Sequence, residues 1–230
     1  NTSVGGVSAL YNIPNPNDNQ VTASEHTFWS YKDKIRILES RTYSTSWLSG
    51  EACAFKKKIV TRLDEDTLAD DSNIALQIIS KGYRVVVNEN TFFSERSPSE
   101  IYDYFRIKTR RVLGGLIETL RFKSLMFNAK YGYFGLIIFP YRFFTQFVNP
   151  IATFIAMILA VPTAIQLSNY LGTFTILIFC VALLFVGYYL RHKIIAYLYL
   201  QLTLSIALFL LVTKRITVNW TQSKTTRIAK

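Results

Sequence analysis

After Leu120 the chain contains no acidic residue, and no other property limits its fold more. Residues 121–230 carry 11 Lys and Arg and no Asp or Glu, whereas residues 1–120 balance 15 against 15, so the net charge of +11 belongs to the second half. Within that half, residues 151–167, 171–190 and 194–213 are uncharged apolar runs of 17, 20 and 20 residues. A helix needs about 20 such residues to cross a hydrocarbon layer. The pattern predicts an all-α transmembrane bundle over 151–213, preceded by a basic interfacial segment over 121–150 and followed by a basic tail over 214–230, in a protein integral to the cell membrane. Tyr133–Val148 is aromatic but interrupted by Pro140, Arg142 and Gln146, which suits a helix lying in the interface.

Arg121, Lys123 and Lys130 before the first run, and Arg191-His192-Lys193 between the second and third, mark the cytoplasmic side. His192 reads as part of that basic loop. The tail, with Lys214, Arg215, Lys224, Arg227 and Lys230, conflicts with a strict three-span count. Two ways out stay open: Tyr133–Val148 inserts, or Ile194–Thr213 does not cross.

Clustered cations between apolar runs also speak against a nucleic-acid partner, which needs a dense basic and aromatic surface. Two cysteines, Cys53 and Cys180, exclude a disulfide framework, and no metal-ligand spacing is visible.

The first half reads as part of an α/β domain. Val4–Leu10 is a short strand or turn, and Phe28, Tyr31, Ile35 and Leu38 give the helix over 21–45 a core-facing stripe. The small residues of Trp47-Leu-Ser-Gly-Glu-Ala-Cys-Ala-Phe55 either line a site or pack. Asp71 stands where an N-cap opens the helical pattern of Ile74, Ala75, Ile78 and Ile79, which Lys81-Gly82 stops, and Tyr83–Asn88 is a strand. Ser97-Pro-Ser-Glu100 is a capping box that predicts a helix from Pro98 to about Leu113, ended by Gly114-Gly115. Its cations Arg106, Lys108, Arg110 and Arg111 form a solvated face or a phosphate site. The fragmentary sheet leads us to expect further strands upstream of Asn1.

Four elements in order carry a resemblance: Ser49-Gly50-Glu51-Ala-Cys-Ala-Phe55, Asp70-Asp71 opening a helix that ends in Lys81-Gly82-Tyr83, Glu95-Arg-Ser-Pro98, and Arg106-Ile-Lys-Thr-Arg-Arg111. Together they resemble the second half of a membrane-integrated family-2 glycosyltransferase, the class of cellulose, chitin and hyaluronan synthases. The resemblance implies the C-terminal part of a GT-A type domain over 1–120, donor half missing, ahead of the membrane helices. It implies an inverting enzyme that moves sugar from a nucleotide-sugar to a saccharide or polyprenyl-phosphate acceptor at the cytoplasmic face. Asp71 would be the base, with Asp70 beside it. Arg111 would face the leaving diphosphate, with Arg110 and Lys108 nearby, and Ser49, Gly50 and Glu51 would line the acceptor side. The family's Gln-x-x-Arg-Trp motif falls on Lys108–Val112 and keeps only Arg111, so Val112 withdraws the sugar-stacking Trp. The family's Asp-x-Asp motif, which holds Mg²⁺ or Mn²⁺, has no counterpart here and is expected upstream. The chain alone would then be inactive. The rival reading is a non-catalytic assembly or lipid-binding subunit that has lost its donor site.

Overall fold

The computed structural model describes residues 2–60, 62–64 and 67–215. The tail from residue 216 on, with Asn219, Trp220, Lys224, Arg227 and Lys230, lies outside the described residues.

Strand β1 (Val4–Asn12) is the middle of a three-stranded sheet, antiparallel to the short β2 (Cys53–Phe55) and parallel to β3 (Arg84–Ser94). Parallel neighbours need a crossover, and here it passes through α1 (Gln20–Thr42) and α2 (Asp70–Ser80). At Gly5 a β-carbon would come within 2.6 Å of Ile78 on α2, so only glycine lets this helix lie so close to the sheet. Gly82 has φ +82°, a left-handed value that ends α2 and returns the chain to β3. The core holds Leu48, Ile74, Leu76, Ile78, Ile79 and Val85.

Helix α1 buries a different face from the expected one. Leu38 is 62% and Tyr31 49% exposed, while Glu25, Trp29, Asp33, Arg36 and Ser40 are buried. The cause is Arg36, which is fully buried and pairs with Asp33 at 2.6 Å. Its Nη2 also donates to Ser8, Ser49 and the Ala9 carbonyl. The chain thus pins its sheet to α1 with a guanidinium rather than an apolar stripe.

Helix α3 (Ile101–Arg121) begins three residues later than the capping box suggests, and Glu100 makes no side-chain cap. Ser97 is drawn off instead, its N–H donating to Asn15 Oδ1. The helix also runs straight through Gly114-Gly115, for a reason that belongs to the site described below.

Residues 121–150, expected as a separate interfacial segment, are part of the domain. Leu125, Phe134, Ile138 and Phe139 join the core, and Arg142 is buried, donating to the Ser46 carbonyl at 2.7 Å and to Thr119 at 3.0 Å. From Phe134 the backbone is helical without a break: a π-turn, α4 (Phe139–Phe143), a second π-turn, then α5 (Asn149–Tyr189). No loop interrupts the helix at 168–170, between the first two apolar runs. The path is nevertheless not straight. A straight helix would put Thr153 about 54 Å from Tyr189, yet Thr153 Oγ1 lies 2.8 Å from the hydroxyl of Tyr197, eight residues past the helix end. Pro162 lies inside α5, where it lacks the backbone donor of a regular turn.

Arg191-His192-Lys193 opens α6 (Arg191–Val212) instead of forming a loop, and His192 meets Gln20 at the start of α1 at 3.3 Å. Among the described residues two stretches, Phe134–Leu167 and Arg191–Val212, are long and apolar enough to cross a membrane. One face of α6 is covered by protein, where Ala207 packs with Leu113 and Leu116 of α3.

Candidate active site

Asp70 and Asp71 are the first two residues of α2, and the N-cap is Ala69, which has no group to cap with. The capping role expected of Asp71 is therefore not the one it performs. Asp71 accepts the Ser72 N–H at 2.6 Å, while its own N–H donates to Asp70 at 3.0 Å. Burial raises the Asp71 carboxyl, the Ser72 N–H works against it, and the charges of Asp70 and Glu51 raise it further, so that it is pushed up to about 6. A carboxylate tuned toward neutrality keeps its proton affinity while remaining mostly ionised at pH 7, as a general base requires.

The position of this carboxylate is set by α3. A methyl group at Gly114 would lie 2.9 Å from Ala69 Cβ and 3.0 Å from the Leu68 carbonyl carbon, so the bare glycine is a seat for the segment leading into Asp70. One turn on, the fully buried Glu118 accepts from Thr67 and from Asn73 of α2, both at 2.7 Å. Sequence reasoning takes Gly114-Gly115 as a stop signal because a close approach between distant segments leaves no local trace.

A cavity of about 270 Å³ opens above this helix start, lined by Trp29, Trp47, Ser49, Gly50, Glu51, Leu68, Ala69, Asp70, Asp71, Arg110 and Arg111. It gathers seven of the eight residues singled out from the sequence. Gly50 lies against Asp71: a β-carbon there would sit 3.6 Å from Asp71 Cβ. Trp29 and Trp47, whose rings meet edge to face at 6.5 Å, were not singled out as site residues. They supply the aromatic surface that Val112 does not. Only the place of Trp47, directly before the small-residue segment, hints at this.

Arg111 is held by Glu51 and Glu95, each at 3.4 Å, and Tyr11 donates to the same Glu95 oxygen at 2.6 Å. Burial disfavours the charge on Arg111, but these acids more than offset it and its pKa is raised. Arg110, by contrast, has its pKa lowered by burial and by the adjacent Arg111, and no ion pair holds it among the described residues. A guanidinium poised this way is free to meet an incoming anion. Ser49 borders the cavity, but its hydroxyl donates to the Ala9 carbonyl at 3.1 Å and receives Arg36. It fixes the loop.

Lys108 does not join the site. Its ammonium is buried, bound to Glu25 and 3.4 Å from the Phe28 ring centroid. Glu25 also accepts the Trp29 indole N–H at 2.9 Å, and the Trp29 ring stacks on Tyr11 at 4.4 Å. The expected phosphate ligand is instead the far end of a chain of contacts that steadies Trp29, Tyr11 and, through Glu95, Arg111. Glu25 lies too distant in sequence for this pairing to be read locally.

The profile of glycosyl transferase family group 2 matches residues 4–213. The chain belongs to that family. Among solved structures, the chain is similar to the mannosyltransferase PcManGT from Pyrobaculum calidifontis, solved in complex with GDP-Man and Mn²⁺. The TM-score is 0.61 at 18% identity, over 94% of this chain and 56% of that one, which shows a shared GT-A-like fold. The chain thus spans little more than half the length of its structural neighbour. No curated protein matches it in sequence. Among the described residues no group of three or more His, Cys, Asp or Glu side chains could hold a metal ion. Asp70 and Asp71 alone do not make a metal centre.

Proposed function

We propose that this transferase moves a sugar with inversion from a nucleotide-sugar to an acceptor hydroxyl, at the cytoplasmic face of the membrane that its apolar helices occupy. The observation that carries the reading is the single cavity that sets the raised carboxylate of Asp71 opposite the cations of Arg110 and Arg111. In the reaction Asp71 accepts the acceptor O–H proton as the oxygen attacks the anomeric carbon. The bond from that carbon to the diphosphate breaks, and the nucleoside diphosphate leaves with both electrons. Arg111 and Arg110 stabilise the charge gathering on the leaving group, a role that suits a fork of fixed, always-charged donors. The Trp29 and Trp47 rings offer the apolar face on which a sugar ring packs. The divalent cation implied by the resemblance has no ligand group among the described residues.

The test is nucleotide release by the full-length protein in detergent, offered a panel of nucleotide-sugars. Turnover that Asp71→Asn abolishes supports the proposal. Absence of turnover with every donor favours the non-catalytic subunit, whereas turnover indifferent to Asp71 keeps the transferase and removes Asp71 as its base.

A further inference from the structure

The two glycines of α3 receive different neighbours. Gly114 seats the segment leading into Asp70, whereas a β-carbon at Gly115 would lie 3.6 Å from Gln146 Nε2 and 3.9 Å from Arg142 Nη2, so the helical segment 139–148 rests on α3 at this point. One turn on, the Thr119 hydroxyl lies 2.8 Å from Gln146 Oε1 and accepts from Arg142 Nε at 3.0 Å.

Arg142 is held there without a counter-ion. It is only 5% exposed, and its acceptors are all neutral: the Ser46 carbonyl at 2.7 Å, the Thr119 hydroxyl at 3.0 Å and the Gly115 carbonyl at 3.3 Å. Among the described residues no carboxylate pairs with it. A buried charge with no ion pair is costly, and a neutral donor would serve if the fold needed hydrogen bonds alone. The charge itself therefore has a use.

Its surroundings show what that use is. Ser46, whose carbonyl Arg142 takes, opens the segment whose Trp47, Ser49, Gly50 and Glu51 wall the 270 Å³ cavity. The guanidinium carbon lies 5.8 Å from the centroid of the Trp47 ring. Its charge also reaches Asp71, where it opposes the burial and the charges of Asp70 and Glu51 that push the carboxyl up. The other charged or titratable groups facing Asp71 are Arg110, Arg111 and Cys53. Those facing Arg142 are Lys32 and Glu39 of α1 and Glu118 of α3.

We propose that Arg142 is a positioning residue for the reaction: from its seat on α3 it anchors the Trp47–Glu51 wall through the Ser46 carbonyl and supplies a fixed positive charge to the Asp71 end of the cavity. This rests on the assignment of Asp71 as the base, because the charge serves transfer only if Asp71 takes the proton.

The test uses the full-length protein in detergent. Arg142→Met removes fork and charge, and Arg142→Lys removes the fork alone. Arg142→Gln removes the charge but keeps a donor, and repeats the measurement should the Met variant not fold. Each is also made with Asp71→Asn. The gap in thermal midpoint between a protein and its Asp71→Asn counterpart opens as pH rises and levels off near the folded pKa of the carboxyl, so it reads that carboxyl without any substrate. A general loss of stability cancels, since both members of a pair carry the same change at Arg142. In the wild type the gap should level off near pH 6. In Arg142→Met it should do so about 0.5 pH unit or more higher, and in Arg142→Lys where it does in the wild type. The wall is read from the fluorescence that Trp47→Phe removes, which should shift to the red and be quenched more readily by acrylamide in both Arg142→Met and Arg142→Lys. Nucleotide release should fall about tenfold or more in both. An unmoved plateau or an unchanged Trp47 signal in Arg142→Met would leave Arg142 an ordinary core residue and overturn the proposal. So would a plateau that rises as far in Arg142→Lys as in Arg142→Met, which would assign the effect to shape instead of charge. If turnover is indifferent to Asp71→Asn while both signals move as stated, the base assignment falls and the anchoring by Arg142 stands.

Discussion

Replacing Asp71 by Asn separates chemistry from architecture, because Asn keeps the oxygen that accepts the Ser72 N–H and removes only the ability to take a proton. The Asp71 carboxyl is raised from 3.8 to about 6. Two units correspond to at most about 3 kcal/mol of penalty for holding the charged form in the fold, and the side chain is only half-buried, so the realised value is smaller. The sign follows from proton binding. The folded state binds this proton more tightly than the unfolded one, so the native protein loses stability as pH rises from 3.8 to about 6 and stays flat above. Asp71→Asn should therefore melt with the wild type below pH 3.8 and a few degrees above it at pH 7.5, measured by thermal shift in detergent. Turnover should fall by about two to four orders of magnitude, with little change in donor affinity. Wild-type kcat/KM should climb with pH through about 6 as the base ionises. A variant that is less stable at pH 7.5 yet fully active would refute the reasoning and return Asp71 to a helix-start role.

Three further outcomes are expected. Arg111→Lys keeps the charge but loses the fork, so kcat should drop about 10- to 100-fold while nucleotide affinity, followed by calorimetry, falls less. Gly114→Ala gains up to about 1 kcal/mol of helix propensity but drives a methyl into Ala69, so net stability should fall and turnover should fall more steeply than Tm, as Asp70 and Asp71 are pushed from their seat. Glu118→Ala strands Thr67 and Asn73 and should cost about 3 kcal/mol by denaturant melt, with Glu118→Gln costing clearly less.

Local signals were legible where the element depends on its own residues. The β-branched run Val85-Val-Val87, the period of Ile74, Ile78 and Ile79, and the glycine at 82 with its positive φ all declare themselves. The cavity was legible through the order of its motifs, since Ser49-Gly50-Glu51, Asp70-Asp71 and Arg110-Arg111 converge in space. What stayed hidden are groups whose meaning lies in a distant partner. Arg36 sits in a polar helix where nothing shows that it will be fully buried against Ser8 and Ser49. Lys108 looks like the other cations of α3 until Glu25 arrives from 83 residues away. Gly114 looks like punctuation until Leu68 and Ala69 rest on it. The apolar runs announced their length but not their path, because hydropathy records no direction.

The two halves of the reaction are hung from one rod. Helix α3 carries Arg110 and Arg111 in its own sequence, and through Gly114 and Glu118 it also fixes where α2 begins. The gap between Asp71 and the Arg110-Arg111 pair is therefore gauged against a single element, like two marks cut on the same rule. Ala207 of α6 packs on Leu113 and Leu116 of that same helix. Substitutions that spare Gly114 and Glu118 therefore leave that spacing as it is.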